Sequence, residues 1–197
     1  LELSSFQLMT MGRSPEIAVV TNLAPNHLDV HKSMEEYIDA KKNIFLHQGQ
    51  GGKLVLNFDN EITRGFAPLA PGQVIPFSRR EALSQGVFVR DGAIWSATAE
   101  GEREVLPLDG ILLPGLHNVE NYMAAIAAVE GLVPDDLIRR FAASFQGVAH
   151  RIELVRTLDG VRYYNDSIAS SPSRTIAGLN SFQEKVILIA GGYDKHI

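Results

Sequence analysis

Near its end the chain carries an uninterrupted apolar run, Val186-Ile187-Leu188-Ile189-Ala190. A strand with one wet face alternates apolar and polar residues. A run with no polar member is the pattern of a parallel strand covered on both faces. Such a strand needs strand neighbours and helices on either side of the sheet, which restricts the chain to an α/β organisation. The residues just before it supply too little for that. Residues 152–158 and Val161–Asn165 read as two strands around the turn Asp159-Gly160, and Pro172–Leu179 reads as a helix. A β-β-α-β piece this small cannot bury its last strand alone. The expectation is a domain boundary near residue 149, with residues 150–197 opening a domain that continues past Ile197.

Residues 1–149 carry a fuller set of elements. Residues 17–22 read as a buried strand that runs into a polar loop holding Pro25, Asn26, His27, Asp29 and His31. Ser33 is a candidate N-cap and Glu36 completes a capping box, so a helix is expected to start there. Its apolar face would carry Met34, Tyr37, Ile38, Ile44 and Phe45. Strands are expected over 53–58, 74–77 and 105–108, a short helix over 61–69, and a hairpin over 86–98 that turns at Asp91-Gly92. Two helices follow the Pro114-Gly115 break. One spans about 117–129, with Gly131 beyond its end. The other starts at Pro134 and is expected to bury Leu137, Ile138, Phe141 and Phe145.

Composition narrows the function classes. The 197 residues are 45% hydrophobic and 21% charged, which supports a real core. A net charge of -5 supplies no basic surface for nucleic acid or an acidic membrane. Cys is absent, which excludes disulfides and thiolate sites and fits a cytoplasmic origin. No apolar run approaches the roughly 20 residues of a membrane span.

Several residues stand out chemically. Glu2 lies between Leu1 and Leu3, with Ser4, Ser5, Phe6 and Gln7 after it. A carboxylate among apolar neighbours at a strand end is costly to desolvate unless a partner, usually a cation, meets it. Lys41 falls within the apolar stripe 34, 37/38, 41, 44/45 of the helix that follows Ser33. There it either snorkels to water or has a depressed pKa and reacts as a neutral amine. A neutral amine can capture carbon dioxide as a carbamate, an anionic oxygen ligand. His27 and Asp29 follow a strand, where doubly wound sheets place their ligands. With Glu2 and Lys41, His27 would complete an oxygen-rich magnesium site, since magnesium takes one or two protein ligands plus waters and phosphate oxygens.

Asn118 and Asn121 lie one turn apart at a helix start, suited either to a nucleotide or to N-capping. Arg151 is either a surface residue or a planar fork for phosphate at the boundary between two domains. Asp166 ends a strand, and Ser170-Ser171-Pro172 enters a helix, which is either an ordinary capped loop or an anion site. Gly191-Gly192-Tyr193-Asp194-Lys195 follows the apolar run, with Lys195 as a cationic contact. No GxxxxGK[ST] phosphate loop occurs in the chain.

In order along the chain, LELSSFQL, TNLAPNHLDVH, DAKKNIF, HNVENYMAAIAA, HRIE, NDSIASSP and ILIAGGYDK resemble the Mur ligases. The resemblance covers nearly the whole chain, and the first and sixth motifs favour the member that adds D-glutamate. It implies three domains: a UDP-substrate domain, a central ATPase domain and a Rossmann-like C-terminal domain. Residues 1–149 would be the central ATP-binding domain, with its mostly parallel sheet and without its phosphate loop. Residues 150–197 would begin the C-terminal domain. The implied reaction belongs to peptidoglycan precursor synthesis. ATP phosphorylates the carboxylate of UDP-N-acetylmuramoyl-L-alanine, and the amine of D-glutamate attacks the acyl phosphate.

By the resemblance, Glu2 matches the magnesium-binding Glu, and His27 matches the His of a second magnesium site. Lys41 matches a carbamylated Lys that bridges to that second ion. Asn118 and Asn121 match nucleotide contacts, and Arg151 and Asp166 match residues that close over ATP. Lys195 matches the Lys that meets D-glutamate, and Ser170 stands where the family often has a D-glutamate-binding Thr. Two places depart from the pattern. Ile168 stands where many relatives have Lys, and Arg174 on the next helix is a candidate replacement. The Gly-Gly-Tyr-Asp-Lys spelling also differs from Gly-Gly-Asp-x-Lys. The other readings are a sister Mur ligase, a folylpolyglutamate synthetase, or a non-catalytic relative that binds nucleotide. Residues 1–197 alone are expected to be inactive.

Overall fold

A computed structural model describes residues 1–24, 31 and 33–192. The chain begins with a one-turn helix, α1 (Ser5–Leu8), closed by a reciprocal box in which Ser4 and Gln7 cap one another. Glu2 is therefore not at a strand end; it lies ahead of a helix cap and is exposed to water. Strand β1 (Ile17–Val20) follows, then α2 (Met34–Lys42), whose first turn is capped by Ser33 Oγ accepting from the Glu36 amide.

Strand β2 (Lys53–Asn57), helix α3 (Glu61–Arg64) and strand β3 (Gln73–Ser78) come next. The single short helix expected over 61–69 is split. α3 ends at Gly65, and a separate 3-10 turn over Ala67–Leu69 carries Pro68. Gly is a poor helix former and Pro lacks the amide that would continue the ladder. Strands β4 (Gly86–Arg90) and β5 (Ala93–Thr98) form the expected hairpin. Its Asp91 and Gly92 both have positive φ, 50° and 76°, the requirement of a two-residue primed turn. Strand β6 (Gly101–Pro107) starts earlier than the sequence suggests.

The six strands lie in the order β1-β2-β3-β4-β5-β6. The first four are parallel, and β5 and β6 return antiparallel. β2 shows how the sheet is covered on both sides. Successive strand residues point to opposite faces. Leu54 and Leu56 pack with Ala18, Tyr37, Phe45 and Phe66, on the side of α2 and α3. Val55 packs with Phe77, Val87, Ile94 and Met123, on the side of helix α4 (Leu116–Ala128). Each such side chain contributes about 1.5–3 kcal/mol by leaving water.

Helix α5 (Asp135–Ser144) packs against β6. The expectation that it buries Leu137, Ile138, Phe141 and Phe145 needs correction. Ala142 is the buried residue, Ile138 joins the core edge, and Leu137 and Phe141 are 44% and 55% exposed. The helix is held partly by charge instead. Arg103 of β6 bonds Asp135 and pairs with Glu130, which also accepts from buried Ser96.

A second, two-stranded sheet joins β7 (Glu153–Leu158) and β8 (Val161–Asn165), followed by helix α6 (Pro172–Leu179). The run at 186–190 is not a strand. Ile187 and Ile189 are 94% and 92% exposed, and among the described residues no strand pairs with it. An apolar sequence becomes a buried strand only when a ladder partner and covering layers exist.

Candidate functional site

The candidate residues gather in two places. The first is the corner between α1 and α2. Lys41 is half-buried, its ammonium Nζ donating to the Leu3 carbonyl at 3.3 Å and lying 5.9 Å from the centre of the Tyr37 ring. Burial lowers its pKa from the ordinary lysine value, and the nearby Glu2 carboxylate pulls it partly back. A lowered pKa enlarges the neutral-amine fraction at any given pH. Asn43 ties the same corner from the end of α2, donating to the Leu8 carbonyl at 2.9 Å.

Around this corner lies a cluster that sequence reasoning missed. His31 is 3% exposed. Its Nε2 is 2.8 Å from the Ser5 hydroxyl, its ring stacks on Phe6 at 5.1 Å, and it meets the edge of Tyr37 at 5.3 Å. The one sequence signal was a second His in the loop motif, four positions after His27. The charge of Arg174 on α6 also reaches Tyr37. Burial raises the Tyr37 pKa and the Arg174 charge opposes that rise, so the guanidinium is within electrostatic reach of the corner.

The second place is a cavity of about 200 Å³ between α4, α5 and the segment leading into β7. Its polar lining includes His117, Asn118, Asn121 and Arg151, and its apolar lining includes Tyr122 and Phe141. Asn118 does not cap α4, because Gly115 holds that position with φ 101°. Asn118 Nδ2 donates instead to the Pro114 carbonyl at 2.7 Å, and Asn121 sits 3.5 Å from Asn118 Oδ1. The capping alternative is thereby removed for Asn118. A Cβ at Gly115 would collide with Ser181 Oγ and the His117 ring, so glycine also permits the close approach of the residues after α6.

Arg151 is exposed on the cavity wall, and its charge helps burial lower the pKa of His117. Asp166 Oδ1 accepts from the Ile152 amide at 3.2 Å, which fixes the end of β8 beside the Arg151 turn. Phe141 stacks on Phe145 at 4.9 Å, an i,i+4 aromatic pair presented to the cavity rather than to the core. Tyr122 keeps a buried hydroxyl with no hydrogen-bond partner among the described residues. Apolar walls with a few convergent amides and one guanidinium suit a flat ring bearing an anionic tail. A separate hollow of about 310 Å³, lined by Met9, Asp39, Lys42 and Leu46, contains none of the candidate residues.

Ser170 is exposed in the turn before α6 and is not among the cavity-lining residues. His27, Asp29, Asp194 and Lys195 lie outside the described residues. Among the described residues, no group of three or more His, Asp or Glu forms a cage for a metal. One carboxylate, Glu2, and one amine able to become a carbamate, Lys41, do not suit an ion that needs four protein ligands. They fit magnesium, which keeps most of its shell from water and phosphate.

Comparison with known proteins agrees with the motif order. Residues 1–129 match the Mur ligase middle domain. UDP-N-acetylmuramoylalanine–D-glutamate ligase from Acetivibrio thermocellus is 61% identical over 197 residues, covering 100% of this chain and 42% of that protein. The enzyme of the same name from Ruminiclostridium cellulolyticum is 58% identical with the same coverage. The chain thus spans less than half the length of the relatives it matches. Among solved structures, UDP-N-acetylmuramoylalanyl-D-glutamyl-2,6-diaminopimelate–D-alanyl-D-alanyl ligase from Acinetobacter baumannii is similar with a TM-score of 0.66 at 20% identity, over 88% of this chain and 39% of that one. A UDP-N-acetylmuramoyl-L-alanyl-D-glutamate–2,6-diaminopimelate ligase gives 0.64 at 22% identity, over 92% and 39%. At those identities the structural likeness bears on the fold alone.

Proposed function

This chain belongs to the Mur ligase family, and from that premise we propose that it is part of a ligase joining D-glutamate to UDP-N-acetylmuramoyl-L-alanine at the expense of ATP. The observation that carries the proposal is 61% identity, across every residue of the chain, to a protein named for that reaction. Residues 1–149 would serve as the central ATP-binding domain and residues 150–197 as the start of the C-terminal domain. The setting would be peptidoglycan precursor synthesis in the cytoplasm.

A carboxylate is a poor electrophile because its oxygen is a poor leaving group. Transfer of the ATP γ-phosphoryl group to that oxygen gives an acyl phosphate. The D-glutamate amine then attacks the carbonyl carbon, and phosphate departs as the amide forms. Most of the candidate residues of this chain would divide the work between the two places described above. Tyr122 and Phe141 would enclose the adenine, Asn118 and Asn121 would hydrogen-bond the nucleotide, and Arg151 would fork onto phosphate. Asp166 would hold the Arg151 turn in position through its bond to the Ile152 amide. Arg174, with Ser170 and Lys195, would receive the D-glutamate carboxylates, Arg174 replacing the cation absent at Ile168.

At the first corner, the neutral Lys41 amine would form a bond to the carbon of carbon dioxide and release one proton, leaving a carbamate anion. Glu2, His27 and that carbamate would hold two magnesium ions, whose charge would draw electron density from the phosphate oxygens. The Leu3 carbonyl and the Tyr37 ring meet the Lys41 ammonium, and the Glu2 carboxylate is near enough to raise its pKa.

A substrate panel on the intact ligase containing this chain tests the proposal. With ATP and UDP-N-acetylmuramoyl-L-alanine present, phosphate release is expected with D-glutamate and not with L-lysine, meso-diaminopimelate or D-alanyl-D-alanine. Release with one of the others instead would assign a sister ligase. Nucleotide binding with no turnover on any acceptor would assign a non-catalytic relative.

A further inference from the structure

His31 is the point at which the two halves of the first corner meet. From the α1 side come the Ser5 hydroxyl, 2.8 Å from Nε2, and the Phe6 ring, stacked nearly parallel at an interplanar angle of 7°. From the α2 side come the Tyr37 ring and the Glu36 carboxylate, the latter 3.8 Å from Nδ1. The imidazole side chain is only 1% exposed, so it has no open path to a substrate. Ser5 lies three residues from Glu2, and Tyr37 lies one helical turn before Lys41. Other bonds join the opening segment to α2 and its end: Lys41 donates to the Leu3 carbonyl, Asn43 to the Leu8 carbonyl, and the Ser14 hydroxyl to the Asn43 carbonyl.

A histidine buried among aromatic rings is more often a packing residue. Two features argue for more here. The hydrogen bond spans segments 26 residues apart in sequence. Both contacts also land within a turn of the two side chains whose separation a shared ion would require. A buried polar bond fixes one geometry, because breaking it leaves a desolvated hydroxyl and a desolvated ring nitrogen. Apolar contact alone would tolerate sliding.

We infer that His31 is a positioning residue for the Glu2–Lys41 pair: it touches neither metal nor substrate, and it sets their spacing by locking Ser5 and Phe6 onto Tyr37. The inference rests on the magnesium reading given above. Groups that orient metal ligands from behind change metal affinity by roughly 10–100-fold when removed.

The test is Mn2+ binding by the intact ligase, followed by electron paramagnetic resonance in the presence of ADP, so that turnover is not needed. His31→Phe keeps a stacked ring and loses the hydrogen bond; its Mn2+ dissociation constant is expected to rise about tenfold or more. Ser5→Ala removes the same bond from the other side and is expected to weaken binding in the same direction, which keeps the test valid if His31→Phe fails to fold. His31→Gln restores a polar nitrogen near the Nε2 position and should recover part of the affinity. Ile94→Ala, a core truncation on the opposite face of the sheet, should lower the melting temperature and leave Mn2+ affinity unchanged. Wild-type-like Mn2+ binding by folded His31→Phe or Ser5→Ala, while Glu2→Gln binds weakly, would overturn the role of His31 alone. No Mn2+ binding by the wild type, or no effect of Glu2→Gln, would overturn the magnesium reading and this inference with it.

Discussion

Leu54-Val55-Leu56 of β2 and Ile187-Leu188-Ile189 near the C-terminus are nearly interchangeable in side-chain chemistry. The first three are 0% exposed, whereas Ile187 and Ile189 are 94% and 92% exposed. The difference lies in the neighbours. β2 has β1 and β3 as parallel partners, α2 and α3 on one face, and α4 on the other. Residues 186–190 have no strand partner among the described residues. The β7–β8 hairpin shares the deficit, with Leu154, Val155 and Val161 each more than half exposed. Apolar residues therefore state a requirement for layers, and the requirement is met only where the chain supplies them.

The comparison can be broken most directly by stability measurements on this 197-residue chain. Leu56→Ala is expected to cost about 2–5 kcal/mol in urea unfolding. Ile189→Ala should stay within about 0.5 kcal/mol, because little is buried there to lose. Equal losses at the two positions would mean that the C-terminal run is packed in solution.

Activity sharpens the contrast, because the candidate site draws on both regions. In the intact ligase, Lys41→Ala removes a side chain held by the well-packed half and is expected to lower kcat by at least about 10²-fold. Short carboxylic acids should restore part of that rate by standing in for the carbamate, and no rescue at any concentration would count against the carbamate. Arg174 comes from the sparsely packed half. Its replacement by Ala should raise the KM for D-glutamate by about tenfold and leave the KM for ATP unchanged. An unchanged D-glutamate KM would remove α6 from the substrate site.

The smallest expected effect concerns His117, which faces both regions. Burial first, and then Arg151, lower its pKa below the ordinary 6.5, so an NMR titration should show a midpoint under that value. Between the lowered value and 6.5 the unfolded chain binds more protons than the folded one. Stability from this group is then complete above 6.5 and is lost as pH falls through the folded pKa. Arg151→Ala should move the midpoint upward, and no movement would place the guanidinium away from the cavity.

Much of the fold was legible because its signals are local. The Asp91-Gly92 turn, the Ser33 cap, the β7–β8 hairpin and α6 all follow from short-range backbone preferences, and they appear where their residues indicate. Lys41 was legible as well, since a cation in an apolar stripe departs from helical periodicity, and the structure adds the lowered pKa and its cause. Phe141 and Phe145 were misread. Their i,i+4 spacing marks a helix face, but spacing does not say whether that face meets a core or a cavity. His31 was overlooked because its partner Ser5 lies 26 residues away, and loop sequences carry no period that reports such contacts.

By itself, then, the sequence determined most of the elements and their order, the ligase family, and which residue types stand at positions 2, 41, 118 and 151. Those depend on residue type and near-neighbour spacing. Only the tertiary structure decided which apolar runs are buried, that Asn118 bonds the Pro114 carbonyl instead of capping α4, and that a buried imidazole joins α1 to α2. Burial and hydrogen-bond partnership are set by residues distant in sequence, and they exist only once layers have packed.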